Sequence, residues 1–146
     1  MYSPMTEGDV ADIEITGLHH VSLAVTNLER SKAFYGDVLG LKEIERPRFE
    51  FAGAWYGVGD RQLHLIVHDK PTLRTRGIDS HDVHFALRVR SYRETVAFLQ
   101  SRGYSSETRD DAKRLRENQW GKAGFPQVFI LDPDRYVIEL NAERLD

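Results

Sequence analysis

Three histidines and one glutamate recur in matching local settings along this 146-residue chain. His20 opens the segment His20-Val21-Ser22-Leu23-Ala24-Val25, and His84 opens His84-Phe85-Ala86-Leu87-Arg88-Val89. His64 and Glu139 each stand between apolar neighbours, in Leu63-His64-Leu65 and Ile138-Glu139-Leu140. Imidazole nitrogen and carboxylate oxygen both ligate divalent ions. Three imidazoles with one carboxylate suit Zn, Fe, Ni, Co or Mn better than Ca or Mg. The chain has no cysteine. Thiolate zinc sites, iron–sulfur clusters, cysteine nucleophiles and disulfides are therefore excluded, and His, Asp, Glu or backbone oxygen must hold any metal. One histidine on one strand is ordinarily structural or solvent-facing. The repetition of the setting is what points to a single metal site.

The elements that must position these groups form an internal repeat. His20-Val21-Ser22-Leu23-Ala24-Val25 and the following residues to Tyr35 match His84 onward at a constant offset, aligning Leu23 with Leu87, Val25 with Val89 and Phe34 with Phe98. Each copy opens with period-two alternation and changes to a helical period. Asn27 is placed to cap the first helix, and Ser91 with Glu94 fits a capping box on the second. Gly40 and Gly103 are placed to end them. Further strands are expected over Phe49 to Tyr56 and Gln62 to Val67 around a Gly57-Val58-Gly59-Asp60 loop. Others are expected over Val128 to Leu131 and Tyr136 to Asn141 around Asp132-Pro133-Asp134-Arg135, a type I turn signal. Each half thus reads as βαβββ: module one about 17–68, a linker at 69–82 and module two about 83–141, in one domain over 13–146. Residues 105–126 carry no clear pattern.

Side chains alternate faces along a strand. Val21, Leu23 and Val25 share a face, which leaves His20, Ser22 and Ala24 opposite. His64 lies opposite Leu63, Leu65 and Val67. His84, Ala86 and Arg88 lie opposite Phe85, Leu87 and Val89, and Glu139 lies opposite Ile138 and Leu140. All four candidate ligands fall on the face away from the helix-packed core. His19, His68 and His81 fall outside this pattern and read as structural or exposed.

Lys plus Arg number 20 and Asp plus Glu 23, a net charge of −3, which argues against nucleic-acid binding. No signal peptide or membrane-length apolar run is present, so a cytoplasmic protein without membrane association is expected. Residues 1–12 are small, polar and acidic and read as a mobile tail.

Several segments together resemble the vicinal oxygen chelate superfamily, which includes glyoxalase I, extradiol dioxygenases and bleomycin-binding proteins. They are His19-His20-Val21-Ser22-Leu23-Ala24-Val25, Leu28-Glu29-Arg30-Ser31 with Phe34-Tyr35, Leu39-Gly40-Leu41, His84-Phe85-Ala86-Leu87-Arg88-Val89, and Asp132-Pro133-Asp134 with Ile138-Glu139-Leu140. The resemblance implies an α+β fold: two tandem βαβββ modules forming a curled mixed sheet around a metal cleft. It also implies a homodimer and a small-molecule substrate. The family's ligand positions fall on His20, His64, His84 and Glu139. Two departures stand out. Arg135 replaces the usual Gly of the turn, where a left-handed residue costs about 1 kcal/mol. His64 replaces the Glu or Gln of glyoxalase I, which removes one potential carboxylate base.

The resemblance implies one divalent ion acting as a Lewis acid on vicinal oxygens. A glyoxalase-like lyase or isomerase would use Glu139 to move the proton. An Fe(II) extradiol-type dioxygenase would use His20, His84 and Glu139 as a two-His, one-carboxylate face, with His64 beside it. A non-enzymatic drug-binding protein could dispense with the ligands altogether. Candidate substrate contacts are Arg88, whose planar fork suits a carboxylate or phosphate, and Trp55, Tyr56 and Trp120, which could wall a cleft.

Overall fold

The computed structural model describes Pro4 and residues 13–68, 74–119 and 123–146. The expected tail, apart from Pro4, and the start of the linker lie outside those residues. The order is β1 (His20–Val25), α1 (Leu28–Lys32), β2 (Lys42–Ile44), β3 (Gly53–Val58), β4 (Arg61–Val67), β5 (His84–Arg88), α2 (Tyr92–Ser101), β6 (Arg116–Asn118), β7 (Gln127–Leu131) and β8 (Val137–Asn141).

The strands form two four-stranded mixed sheets, β1-β4-β3-β2 and β5-β8-β7-β6. In each, the first strand runs parallel to the last and the remaining pairs are antiparallel. Among the described residues the two sheets are not joined into one, so β1 and β5 each stand at an open edge. The main apolar cluster among the described residues lies beneath both, and a smaller one of Phe129, Leu131 and Val137 packs apart from it. Leu23, Val25, Leu63 and Leu65 from the first module join Val128, Ile130, Ile138 and Leu140 from the second, with Phe34, Tyr35, Val96 and Leu99 from the helical segments.

Local chemistry explains the helix ends. Asn27 Oδ1 accepts from Arg30 N at 2.9 Å, and Ser91 Oγ accepts from Glu94 N at 3.2 Å. α1 is short because it widens into a π-helical turn over Ala33–Val38. Leu39 N there bonds Phe34 O at 2.9 Å, five residues back. The turn buries the adjacent residues Phe34 and Tyr35 together.

Three details depart from the sequence expectation. β3 starts at Gly53 rather than Phe49 and continues to Val58, so the hairpin loop shrinks to Gly59-Asp60. Gly59 takes φ 57°, which a two-residue hairpin favours at its first central position. The unpatterned 105–126 stretch holds a short 3₁₀ turn at Asp111–Lys113 and the edge strand β6. The three-residue strand β2 was not expected.

The second hairpin bears out the turn signal. Arg135 N bonds Asp132 O at 2.9 Å, and Arg135 is the one non-glycine residue with positive φ, 68°, among those described. Its guanidinium is held by Asp111, at 2.7 Å from Nη2, and by the Arg76 carbonyl at 2.9 Å. This turn also ties the modules together. Tyr35 Oη donates to Asp132 Oδ2 at 2.6 Å, Thr26 Oγ1 to Asp134 Oδ1 at 2.6 Å, and Tyr136 Oη to the Ala24 carbonyl at 3.0 Å.

Candidate metal centre

Strand pairing places the four candidate ligands as two corresponding pairs. Across β1 and β4, Ser22 faces His64, so His20 lies diagonal to it on the same face. Across β5 and β8, Ala86 faces Glu139, and His84 is diagonal in the same sense. The third strand repeats the relation. Trp55 of β3 faces His64, and Phe129 of β7 faces Glu139.

In the first pair the rings form a stack. Trp55 lies on His64 with centroids 4.0 Å apart and planes 3° from parallel, and His64 lies on His20 at 4.1 Å and 19°. His64 Nε2 is 2.8 Å from Gln62 Oε1. Burial first, and then the neighbouring His20 imidazole, holds the His64 pKa below the ordinary histidine value. That favours the neutral imidazole, the state a ligand needs. His20 Nδ1 lies 2.8 Å from His19 Nδ1, which brings His19 to the edge of the pair.

In the second pair His84 Nε2 is 3.2 Å from Glu139 Oε1. His84 Nδ1 is 2.8 Å from the Asp82 carbonyl. A carbonyl can only accept, so Nδ1 carries the hydrogen, and a neutral His84 presents its Nε2 lone pair to the carboxylate. Two lone pairs facing each other at this distance need positive charge between or upon them, either a proton or a metal ion. Fixing one imidazole nitrogen by a carbonyl is also the usual support of a metal-binding histidine. The donor chemistry of this pair thus fits a divalent transition ion.

The remaining sequence candidates distribute unevenly. Trp55 shares the ligand face. Tyr56, one residue on, points the other way into the core, 2% exposed, and does not share the ligand face. Arg88 lies on the ligand face and donates from Nε to Asn141 Oδ1 at 2.6 Å, with its guanidinium over the Phe125 ring. Trp120 lies outside the described residues. Asn141 and Gln62, which the sequence reading missed, both touch ligand candidates. Each sits two residues along a strand from the group it contacts, and that parity was the available signal.

The two pairs do not meet within one chain. Among the described residues no group of three or more His, Asp or Glu side chains could hold a metal ion. The described residues of one chain therefore hold the four candidates as two separate pairs, one in each module.

The superfamily profile described as glyoxalase/bleomycin resistance protein/dioxygenase matches residues 17–140. The chain belongs to that superfamily. It is 30% identical over 132 residues to the lactoylglutathione lyase of Salmonella typhimurium, covering 84% of this chain and 90% of that one. It is 30% identical over 134 residues to Glyoxylase I 4 of Arabidopsis thaliana, covering 88% and 71% respectively. Among solved structures it matches a variant of the fosfomycin resistance protein FosX from Listeria monocytogenes, at TM-score 0.68 and 19% identity over 90% of this chain and 95% of that one. That structure was solved with Mn(II) and 1S,2S-dihydroxypropylphosphonic acid. This superfamily member has no helix among the described residues long and apolar enough to cross a membrane.

Proposed function

We propose that this superfamily member is a metal-dependent, glyoxalase-like lyase or isomerase acting on a small molecule with oxygens on adjacent carbons. The ion would be held by His20 and His64 of one copy together with His84 and Glu139 of a second. The observation that carries this reading is the facing of His84 Nε2 and Glu139 Oε1 at 3.2 Å, with a second donor pair at the corresponding place in module one.

The open edges support the pairing of copies. β1 and β5 each carry one half-site and each lack a neighbour on one side. Exposed apolar residues flank them: Ile13, Ile15 and Leu18 before β1, and Val83 before β5. Setting β1 of one copy beside β5 of another brings unlike half-sites together and covers that apolar surface.

Bound there, a divalent ion supplies Lewis acidity to the substrate's two oxygens. The chain does the rest. The Asp82 carbonyl holds the proton of His84 on Nδ1. The Glu139 carboxylate would swing off the ion to take a proton from one carbon and return it to its neighbour. Trp55 and Phe129 shield the donors from water on their open sides.

The test is complementation. A chain lacking His20 and His64 (both to Ala) is mixed with one lacking His84 and Glu139 (both to Ala). A site shared between copies regenerates one intact donor set per mixed dimer, with activity and about half the wild-type metal content. A site within each chain regenerates none. Reconstituted protein that holds no metal at all would favour a binding module instead.

One observation favours a second reading. The Gln62 contact and the Trp55 stack engage His64, which leaves His20, His84 and Glu139 as a two-His, one-carboxylate set for Fe(II). Oxygen consumption dependent on Fe(II) and a catechol supports it. None across a broad catechol panel removes it.

A further inference from the structure

We propose that Arg88 and Asn141 are positioning residues for Glu139: they form a one-way hydrogen-bond relay that pins one carboxylate oxygen and presents the other to His84. The inference rests on the metal reading above and adds two residues to it.

The geometry is a chain of short bonds along one sheet face. Arg88 Nε donates to Asn141 Oδ1 at 2.6 Å, and Asn141 Nδ2 donates to Glu139 Oε2 at 2.6 Å. Arg88 and Asn141 are register partners across β5 and β8, and Glu139 is register partner to Ala86. Ala86 carries only a methyl group, so nothing beside it competes for the carboxylate. Asn141 and Glu139 are 6% and 5% exposed, so water does not easily replace these bonds.

Arginine sets the direction of the relay. A guanidinium has donors and no acceptor, so the Asn141 oxygen must face it. The amide nitrogen must then face Glu139 and donates to its Oε2. Oε2 is thereby committed and Oε1 alone faces His84 Nε2. The Asp82 carbonyl polarises the opposite end by holding the His84 Nδ1 hydrogen. Between a group that can only donate and a group that can only accept, the two central atoms are left as facing lone pairs.

Module one has no counterpart. Ala24 and Ile66 occupy the positions of Arg88 and Asn141, and neither carries a polar side chain. The relay therefore belongs to the carboxylate half-site specifically and is not a general feature of the sheet. It makes Glu139 a single-oxygen ligand of fixed orientation, while among the described residues His64 is held by stacking and by Gln62.

The experiment titrates Co(II) into full-length wild type and into Asn141→Leu, Arg88→Met, Arg88→Lys and the Asn141→Leu/Arg88→Met double variant. Affinity is read by chelator competition and geometry by the visible Co(II) bands, and thermal melts confirm folding. Asn141→Leu should weaken Co(II) binding by about 10–100-fold and shift the bands, as loss of a ligand's supporting partner does. Arg88→Met should weaken it by a smaller factor, on the order of 3–10-fold. Arg88→Lys, still a pure donor, should recover most of that loss. The double variant should bind no worse than Asn141→Leu alone, because the relay acts as one unit. Folded variants with wild-type affinity and bands overturn the relay, as does additivity in the double variant. Should Asn141→Leu fail to fold, exposed Arg88 carries the test by the same criteria. Wild type that takes up no Co(II) overturns the metal reading and the relay with it. Wild type that binds beside indifferent variants overturns the relay alone.

Discussion

The His64 imidazole lies face to face on the Trp55 indole, 3° from parallel and 4.0 Å between centroids. His20 covers its other face at 4.1 Å. The in-plane lone pairs of stacked rings run side by side rather than converging on one point. Coordination by both His20 and His64 therefore requires one of the two rings to turn out of the stack, and a turn of His64 would break its contact with Trp55.

That turn has an optical readout. Adding a divalent transition ion should change the tryptophan emission of the wild type by disturbing the indole's contact with His64. Trp55→Phe, which retains Trp120, should lose most of the response while keeping metal affinity within about an order of magnitude. An unaltered response in Trp55→Phe counts against movement of His64.

Asp132 makes stability depend on pH. Burial raises its pKa to about 6, although Tyr35 and the backbone amides of Tyr136 and Asp134 donate to it and pull the other way. The folded-state value lies above the unfolded one. The contribution is thus fully present below about pH 4 and is lost as pH rises through about 6. Asp132→Asn should remove that slope, up to about 3 kcal/mol between pH 4 and 7. Urea melts at several pH values measure it. A parallel pH profile in the variant would refute the assignment.

Arg135 and Asp111 share a titration. The guanidinium, first by its hydrogen bond and then by its charge, holds the Asp111 carboxyl below the usual carboxylate range. In Arg135→Gly that pKa should rise toward its ordinary value, visible in the carboxyl carbon shift by NMR. The turn itself should relax, because glycine accepts the positive φ without cost. The two effects oppose each other, so the melting temperature should move little.

Gly53 admits no side chain. A Cβ there would lie 2.3 Å from the Leu65 carbonyl and 2.9 Å from Arg46 Nη2. Backbone cannot yield cheaply, so Gly53→Ala should cost about 2 kcal/mol or more, read by thermal or urea melts. It should also displace Arg46 from the Phe49 and Phe51 rings it covers.

Much of this architecture was legible in the residues because it was written twice. The offset between His20 and His84 marked two copies of one unit, and period-two alternation put each candidate ligand on the same strand face that the register gives it. Adjacent Trp55 and Tyr56 could not both wall a cleft, since neighbouring strand residues face opposite ways. Parity alone would have sent one of them to the core. β2 and β6 are three residues each, too short for a period to register. Whether the four candidates would gather in one chain or stay as two pairs was left open by the residues. Alternation fixes a side chain's face, whereas whether two sheet edges meet depends on tertiary packing between modules.

The open edges of β1 and β5 carry a cost. A row of unpaired amides and carbonyls accepts any extended strand. Unlike edges that join head to tail can close into a ring of two or run on into a filament, and nothing local to either edge distinguishes the outcomes. In the proposed pair, closure would rest on the angle at which the Tyr35–Asp132 and Thr26–Asp134 bonds hold the modules. Loosening those bonds would then favour open-ended assembly over a closed pair, so contacts remote from the edges would govern which forms.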